Sequence, residues 1–202
     1  LKKIKKENTT LEEEQKKNET AKIRCVALCI ETRPDFAKLA HANIMLSQGC
    51  TRVELGIQTV YDDVLKNINR GHTFSDSVES IAILKDLGLK VNFHCMPGLP
   101  GVSKERDLEG LKQLFSDERL RPDMIKIYPC MVSKGTILYE KYKQNEFIPL
   151  TTDDAAILIA EFKKSVPVYC RIQRVQRDVP SNQWEAGVKM NNLRQYVFEK
   201  YN

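Results

Sequence analysis

Apolar residues fall along the chain in short runs with a polar residue at every second position, separated by longer stretches whose apolar positions recur three and four apart. The first spacing belongs to strands with two chemically different faces, the second to amphipathic helices. It predicts strands at 25–30, 52–57, 90–95, 124–128 and 168–173, and helices at 36–48, 61–68, 75–87, 103–116, 137–144, 151–165 and 191–200. Ahead of them LEEEQKKNETAK, with Thr9 or Thr10 as N-cap, reads as a solvated helix whose acidic start and basic end suit its dipole. Strand–helix alternation implies α/β class, a parallel sheet with helical crossovers. The segment 1–24 is then an N-terminal helix, and 25–202 the sheet-bearing domain.

The polar positions change the picture. Val53, Leu55 and Ile57 oppose Arg52, Glu54, Gly56 and Gln58; Val91, Phe93 and Cys95 oppose Lys90, Asn92, His94 and Met96; Ile125 and Ile127 oppose Lys126 and Tyr128. A parallel strand covered on both faces would be apolar throughout. Here one face packs on helices, and the other gathers titratable groups toward the strands' C-terminal ends, where barrel-type α/β folds keep their chemistry. The competing arrangement is an antiparallel sheet wetted on one side, against which the helical connectors count.

With 202 residues, 42% hydrophobic and 29% charged, the chain supplies one full core and is not wholly disordered. No apolar run approaches the ~20 residues that cross a bilayer, and LKKIKKENTT lacks the apolar stretch of a secretory signal. Six cysteines at 25, 29, 50, 95, 130 and 170 are expected as buried free thiols of a cytoplasmic protein rather than a disulfide framework. Cys25 and Cys29, placed four apart on a strand, would lie ~13 Å from each other, too far to share an ion, so no metal site is expected.

Several loops carry candidate chemistry. In Glu31-Thr32-Arg33-Pro34-Asp35, Pro34 keeps Arg33 extended, and the Arg33 fork serves equally as an anion contact or as a staple to Glu31 or Asp35. Gly56 marks a close approach and Gln58 brings donor and acceptor beyond it, while His72 in NRGHT suits a structural turn ahead of a helix capped by Ser75. HCMPGLPG frees backbone groups at a strand end before Ser103 caps the next helix. The net charge of +5 and the series Arg171, Arg174 and Arg177, with Lys163, Lys164, Arg119, Arg121 and the aromatic rings of Tyr169, Tyr196 and Trp184, offer a surface for an RNA backbone. No P-loop, dinucleotide fingerprint, HExxH or serine-triad pattern occurs.

Taken in order, ETRPD, TRVELGIQTVYDDVLKNINRGHT, HCMPGLPG, RPDMIKIYP and RIQRVQRDVP resemble the radical S-adenosylmethionine (SAM) domain of the Elongator catalytic-subunit family, the tRNA carboxymethyluridine synthases, from about Cys25 to Arg194. The resemblance implies a partial parallel β/α barrel of radical SAM type that lacks its N-terminal strands in this chain. It implies SAM, a [4Fe-4S] cluster whose cysteine loop lies upstream, and acetyl-CoA handled by a further acetyltransferase-like domain. The 202 residues are then the C-terminal part of the radical domain and inactive alone. Implied partners are tRNA, the remainder of the polypeptide and other Elongator subunits.

Carried over by position, Glu31, Arg33, Glu54, Gln58, Met96 and Pro97 bind the cofactor, with the Met96-Pro97 backbone reading adenine; His94, Lys126 and Tyr128 are catalytic; Arg171, Arg174 and Arg177 meet tRNA. The alternatives are another radical SAM enzyme, of coproporphyrinogen-oxidase type, and a tRNA-binding module without catalysis.

Overall fold

The computed structural model describes residues 9–176 and 183–201. Five strands, β1 (Cys29–Thr32), β2 (Arg52–Gln58), β3 (Lys90–Cys95), β4 (Met124–Ile127) and β5 (Arg171–Val175), form one sheet in the order β1-β2-β3-β4-β5. Every pairing is parallel. The helices are α1 (Leu11–Thr20), α2 (Leu39–Ser47), α3 (Asp62–Asn67), α4 (Phe74–Asp86), α5 (Lys104–Ser116), α6 (Ile137–Lys143), α7 (Thr152–Lys163) and α8 (Leu193–Tyr201), with a 3-10 turn at Pro34–Phe36. Parallel strands in unbroken sequential order, with the right-handed crossovers that parallel sheets take as a rule, put the connecting helices on one side of the sheet. A doubly wound sheet would reverse its order; this is an arc of a β/α barrel.

The core lies between that helical layer and the apolar strand positions. Val53, Leu55, Val91, Phe93, Ile125 and Ile127 have no exposed surface and pack with Leu84, Leu114, Ile159 and Phe162. Capping sets where helices start: Thr10 and Thr73 form reciprocal capping boxes with Glu13 and Asp76, and Ser103, Thr136 and Thr151 each accept an N–H from the first turn. Thr73, not Ser75, is therefore the cap of α4.

The largest departure is at β1. It covers 29–32 instead of 25–30, and Cys25 and Cys29 are both exposed, whereas Cys50, Cys95, Cys130 and Cys170 are buried thiols as expected. Asn18 takes up the Cys25 backbone, accepting from its N–H and donating to its carbonyl, so this apolar stretch is bound to α1 before the sheet begins. β5 likewise starts three residues late, after the turn in which the Cys170 N–H donates to the Pro167 carbonyl. Among the described residues no helix is long and apolar enough to cross a membrane.

Candidate active site on the polar face

Alternation along the strands sends Glu54, His94 and Lys126 to the face opposite the helices, and parallel register lines them up. Glu31 pairs with Glu54, His94 with Lys126, and Lys126 with Arg174. Glu54 is the centre, at 4% exposure. Its carboxylate accepts from the Lys126 ammonium and from His94 Nε2 at 2.7 Å, with Cys29 Sγ 3.4 Å and Arg52 3.5 Å away. Burial raises the Glu54 pKa, but the bonds from Lys126, His94 and Cys29 outweigh it and hold the carboxyl at about 2.

An ionised Glu54 only accepts, so the proton in this contact sits on His94 Nε2. Burial outweighs the pull of both carboxylates and lowers the His94 pKa, leaving the ring neutral near pH 7 with a lone pair on Nδ1. Nδ1 lies 3.3 Å from Glu31, whose side chain is 66% exposed. A proton taken up on Nδ1 thus meets a carboxylate already in place. Tyr128 packs edge-on against the imidazole, centroids 5.4 Å apart at 84°, and burial raises its phenol pKa.

At the end of β2 the register shifts between Leu55 and Gln58, and Gln58 adopts a φ of 69°. The bulge turns its carboxamide back over Gly56. A Cβ at Gly56 would overlap Arg70 Nη2 and lie 2.9 Å from Gln58 Nε2, which explains the glycine. Arg70 donates to the Gly56 carbonyl at 3.1 Å and has no salt-bridge partner among the described residues. Among the described residues Gln58 Oε1 and Arg70 Nε have no hydrogen-bond partner. Sequence reasoning missed Arg70; its signal was a cation twelve residues beyond Gln58 in a turn that folds back on the same strand end.

The other expected positions divide. Arg33 spends its fork on Asp35, at 2.6 and 2.9 Å, so the staple and not the free anion contact is what forms. The Met96 N–H donates to the Gln58 carbonyl and the Pro97 carbonyl accepts from Cys130, both at 2.8 Å, so two of the backbone groups expected to read adenine are engaged. An irregularity in the β4–β5 pairing keeps Arg171 and Arg174 on the polar face although they are three apart, with Arg174 beside Lys126 and Arg171 at the far, N-terminal end. Arg177 lies outside the described residues. Arg119 is forked onto Asp117 and Lys164 paired with Glu161, and the Tyr196 hydroxyl donates to Asp153, so much of the expected basic and aromatic surface is tied down.

Ligand atoms of Glu31, Glu54 and His94 lie within 4.8 Å of one another, the dimensions of a cation site. The Lys126 ammonium already supplies the positive charge there.

An arc of parallel strands with its helices on one side and acid, base and cation on the other defines a partial β/α barrel with the site on the strand face. The chain belongs to the radical SAM superfamily: that superfamily's profile matches residues 2–114, and the radical SAM C-terminal domain profile matches residues 122–202. It is 48% identical over 193 residues to a tRNA uridine(34) acetyltransferase of Methanocaldococcus infernus, covering 96% of this chain and 36% of that one. It is 41% identical over 185 residues to human Elongator complex protein 3, covering 92% and 34%. The solved archaeal Elp3 of M. infernus with an N-terminal deletion superposes with a TM-score of 0.92 at 48% identity, covering 96% of this chain and 46% of that one. The chain thus spans about a third of the length of these curated relatives.

Membership brings SAM and a [4Fe-4S] cluster as the superfamily's cofactors. The residues present fit SAM: its carboxylate suits the guanidinium of Arg70, which has no salt bridge among the described residues, and its ammonium and ribose hydroxyls suit Gln58 Oε1, without a partner among those residues, and the exposed Glu31. They do not fit the cluster, which needs thiolates. Four of the six cysteines are buried, Cys29 is engaged by Arg52 and Glu54, and the donor group among the described residues is two carboxylates and an imidazole.

Proposed function

We propose that the chain forms the SAM-binding and proton-handling part of an enzyme that carboxymethylates C5 of the wobble uridine of tRNA, with acetyl-CoA as source of the two-carbon unit. The observation that carries this reading is a neutral His94 held between two carboxylates beside Lys126 at the strand ends, in a chain whose relatives bear tRNA-uridine names. Bound SAM supplies the superfamily's radical chemistry. Arg70 pairs with its carboxylate, Gln58 accepts from its ribose or ammonium, and the Met96 carbonyl accepts from the adenine amine. His94 Nδ1 takes the proton that uridine C5 gives up, and Glu31 stabilises the imidazolium so formed. Lys126 neutralises charge developing on the acyl oxygen, and Tyr128 fixes the imidazole plane. Glu54 acts by holding His94 and Lys126 rather than by touching cofactor. Arg174, with Arg171 and Arg177, meets tRNA phosphates. The partners on this reading are tRNA, the rest of the polypeptide and other Elongator subunits, in the cytoplasm.

The test uses the full-length parent, reconstituted with iron and sulfide without oxygen. Release of 5′-deoxyadenosine from SAM that depends on uridine-34 tRNA supports the proposal. Binding of tRNA without SAM cleavage would make the chain a binding module, and cleavage driven by a tetrapyrrole instead of tRNA would make it a coproporphyrinogen-type enzyme. Because burial lowers the His94 pKa, the deprotonated base persists as pH falls through the ordinary 6.5. The acid limb of kcat is therefore expected below 6.5, and His94→Gln should remove it while leaving SAM affinity unchanged; a limb at or above 6.5 would exclude His94 as the base.

A further inference from the structure

The mechanism above makes no use of Asp107, a carboxylate on α5 that is only 6% exposed. A buried acid without an ion pair among the described residues needs a reason, and the reason here is one backbone N–H. Gly98, in the Pro-Gly loop that leaves β3, donates to Asp107 Oδ2 at 2.6 Å. Burial raises the Asp107 pKa to about 6, offset in part by the Gly98 bond and by Arg106. The cost of that burial falls on the fold and the benefit on the loop.

The loop is fixed at other points too. Its start is bonded sideways, Met96 N–H to the Gln58 carbonyl and Pro97 carbonyl to Cys130 N–H. Its end is held where Asn67 Nδ2 donates to the Pro100 carbonyl at 3.0 Å. Between them Gly98 has a φ of +80°, and a Cβ there would lie 2.8 Å from Leu150. The turn at Gly98 is the bend that sets where residues 96 and 97 end up, and Asp107 is the side chain that grips it. Asp107 also lines a small cavity on the core side of the sheet, with Gln58 and Pro97 at one end and Leu111 and Leu114 of α5 at the other.

We propose that Asp107 is a positioning residue for the cofactor cleft: by accepting the Gly98 N–H it sets the Met96-Pro97 segment and the Gln58 carboxamide at the spacing that SAM requires. The inference rests on the radical SAM reading of the site. It gives Asp107 no contact with SAM; its effect passes through the loop. Asn keeps an acceptor oxygen at the same reach, whereas Leu keeps the volume and loses the acceptor.

The experiment is SAM binding by equilibrium dialysis to the reconstituted full-length enzyme, with amide hydrogen exchange at Gly98 and turnover at saturating SAM. Asp107→Leu is expected to weaken SAM binding at least tenfold and speed Gly98 exchange, with kcat within twofold once SAM saturates; Asp107→Asn restores both affinity and protection. A folded Asp107→Leu that binds SAM as tightly as the parent overturns the proposal, as does an Asp107→Asn as weak as the Leu variant. Should Asp107→Leu not fold, exchange in the unaltered enzyme decides: Gly98 must be protected well beyond Gly101, and equal rates overturn the proposal. A parent that binds no SAM while Gly98 remains protected and Asp107→Leu loses that protection would refute the radical SAM reading of the site and, with it, the positioning role.

Discussion

Glu54→Gln is expected to cost about 3 kcal/mol of folding stability and to abolish turnover. The substitution keeps the volume and removes the charge, leaving the Lys126 ammonium, with 13% of its side chain exposed, without its anion, and putting an amide NH2 in place of one of the two carboxylate oxygens that face Arg52 on one side and His94 and Lys126 on the other. Breaking one half of a buried pair costs more than the pair contributes, because the orphaned charge stays desolvated. Glu54→Leu combined with Lys126→Met should recover most of the lost stability and none of the activity. Denaturant unfolding of the full-length enzyme decides it; an unchanged midpoint for Glu54→Gln would show that Lys126 finds another anion. The pH dependence has a definite sign. The Glu54 carboxyl sits at about 2 in the folded chain against an ordinary 4.5, so its stabilisation is complete above 4.5 and is lost as pH falls toward 2.

The second large effect is expected at Gly56. In Gly56→Ala the new methyl enters the space of Arg70 Nη2 and Gln58 Nε2, both flexible ends, so the two side chains swing away and the backbone stays. The fold is expected to change by less than about 1 kcal/mol, since alanine also restricts the unfolded chain. SAM affinity is expected to fall at least tenfold, about 1.4 kcal/mol, because the two side chains displaced carry the polar atoms on that strand end, Gln58 Oε1 and Arg70 Nε, that have no partner among the described residues. Equilibrium dialysis alongside a thermal melt separates the two terms. Affinity within twofold of the parent would take Arg70 and Gln58 out of the cofactor cleft.

What was legible in the sequence follows from how local each signal is. Alternation in β2, β3 and β4 is written in neighbouring residues, so these strands, their buried faces and the polar row Glu54, His94, Lys126 could be read directly. At β1 the apolar run 25–28 was bound instead by Asn18, seven residues before Cys25, a contact that periodicity does not record. Arg33 was undecidable because both of its uses need the same residues in the same order; only the geometry gave it to Asp35. Arg70 and Asp107 escaped notice because each acts on a backbone group of a different segment, Gly56 and Gly98, and a backbone acceptor or donor leaves no mark in a sequence.

The interleaving of core and site on single strands has a consequence for how this chain tolerates change. In β3, Phe93 fills the core and His94 the polar face, one residue apart. Substituting either leaves the other where it was. Deleting one codon within β3 does not: every later side chain of the strand changes sides, placing a phenyl ring among the carboxylates and an imidazole against Leu114 and Ile125. Such chains are thus permissive to replacement and brittle to length. Their divergence over time should accumulate as exchanged residues in strands of constant span, with insertions confined to the turns between helix and strand.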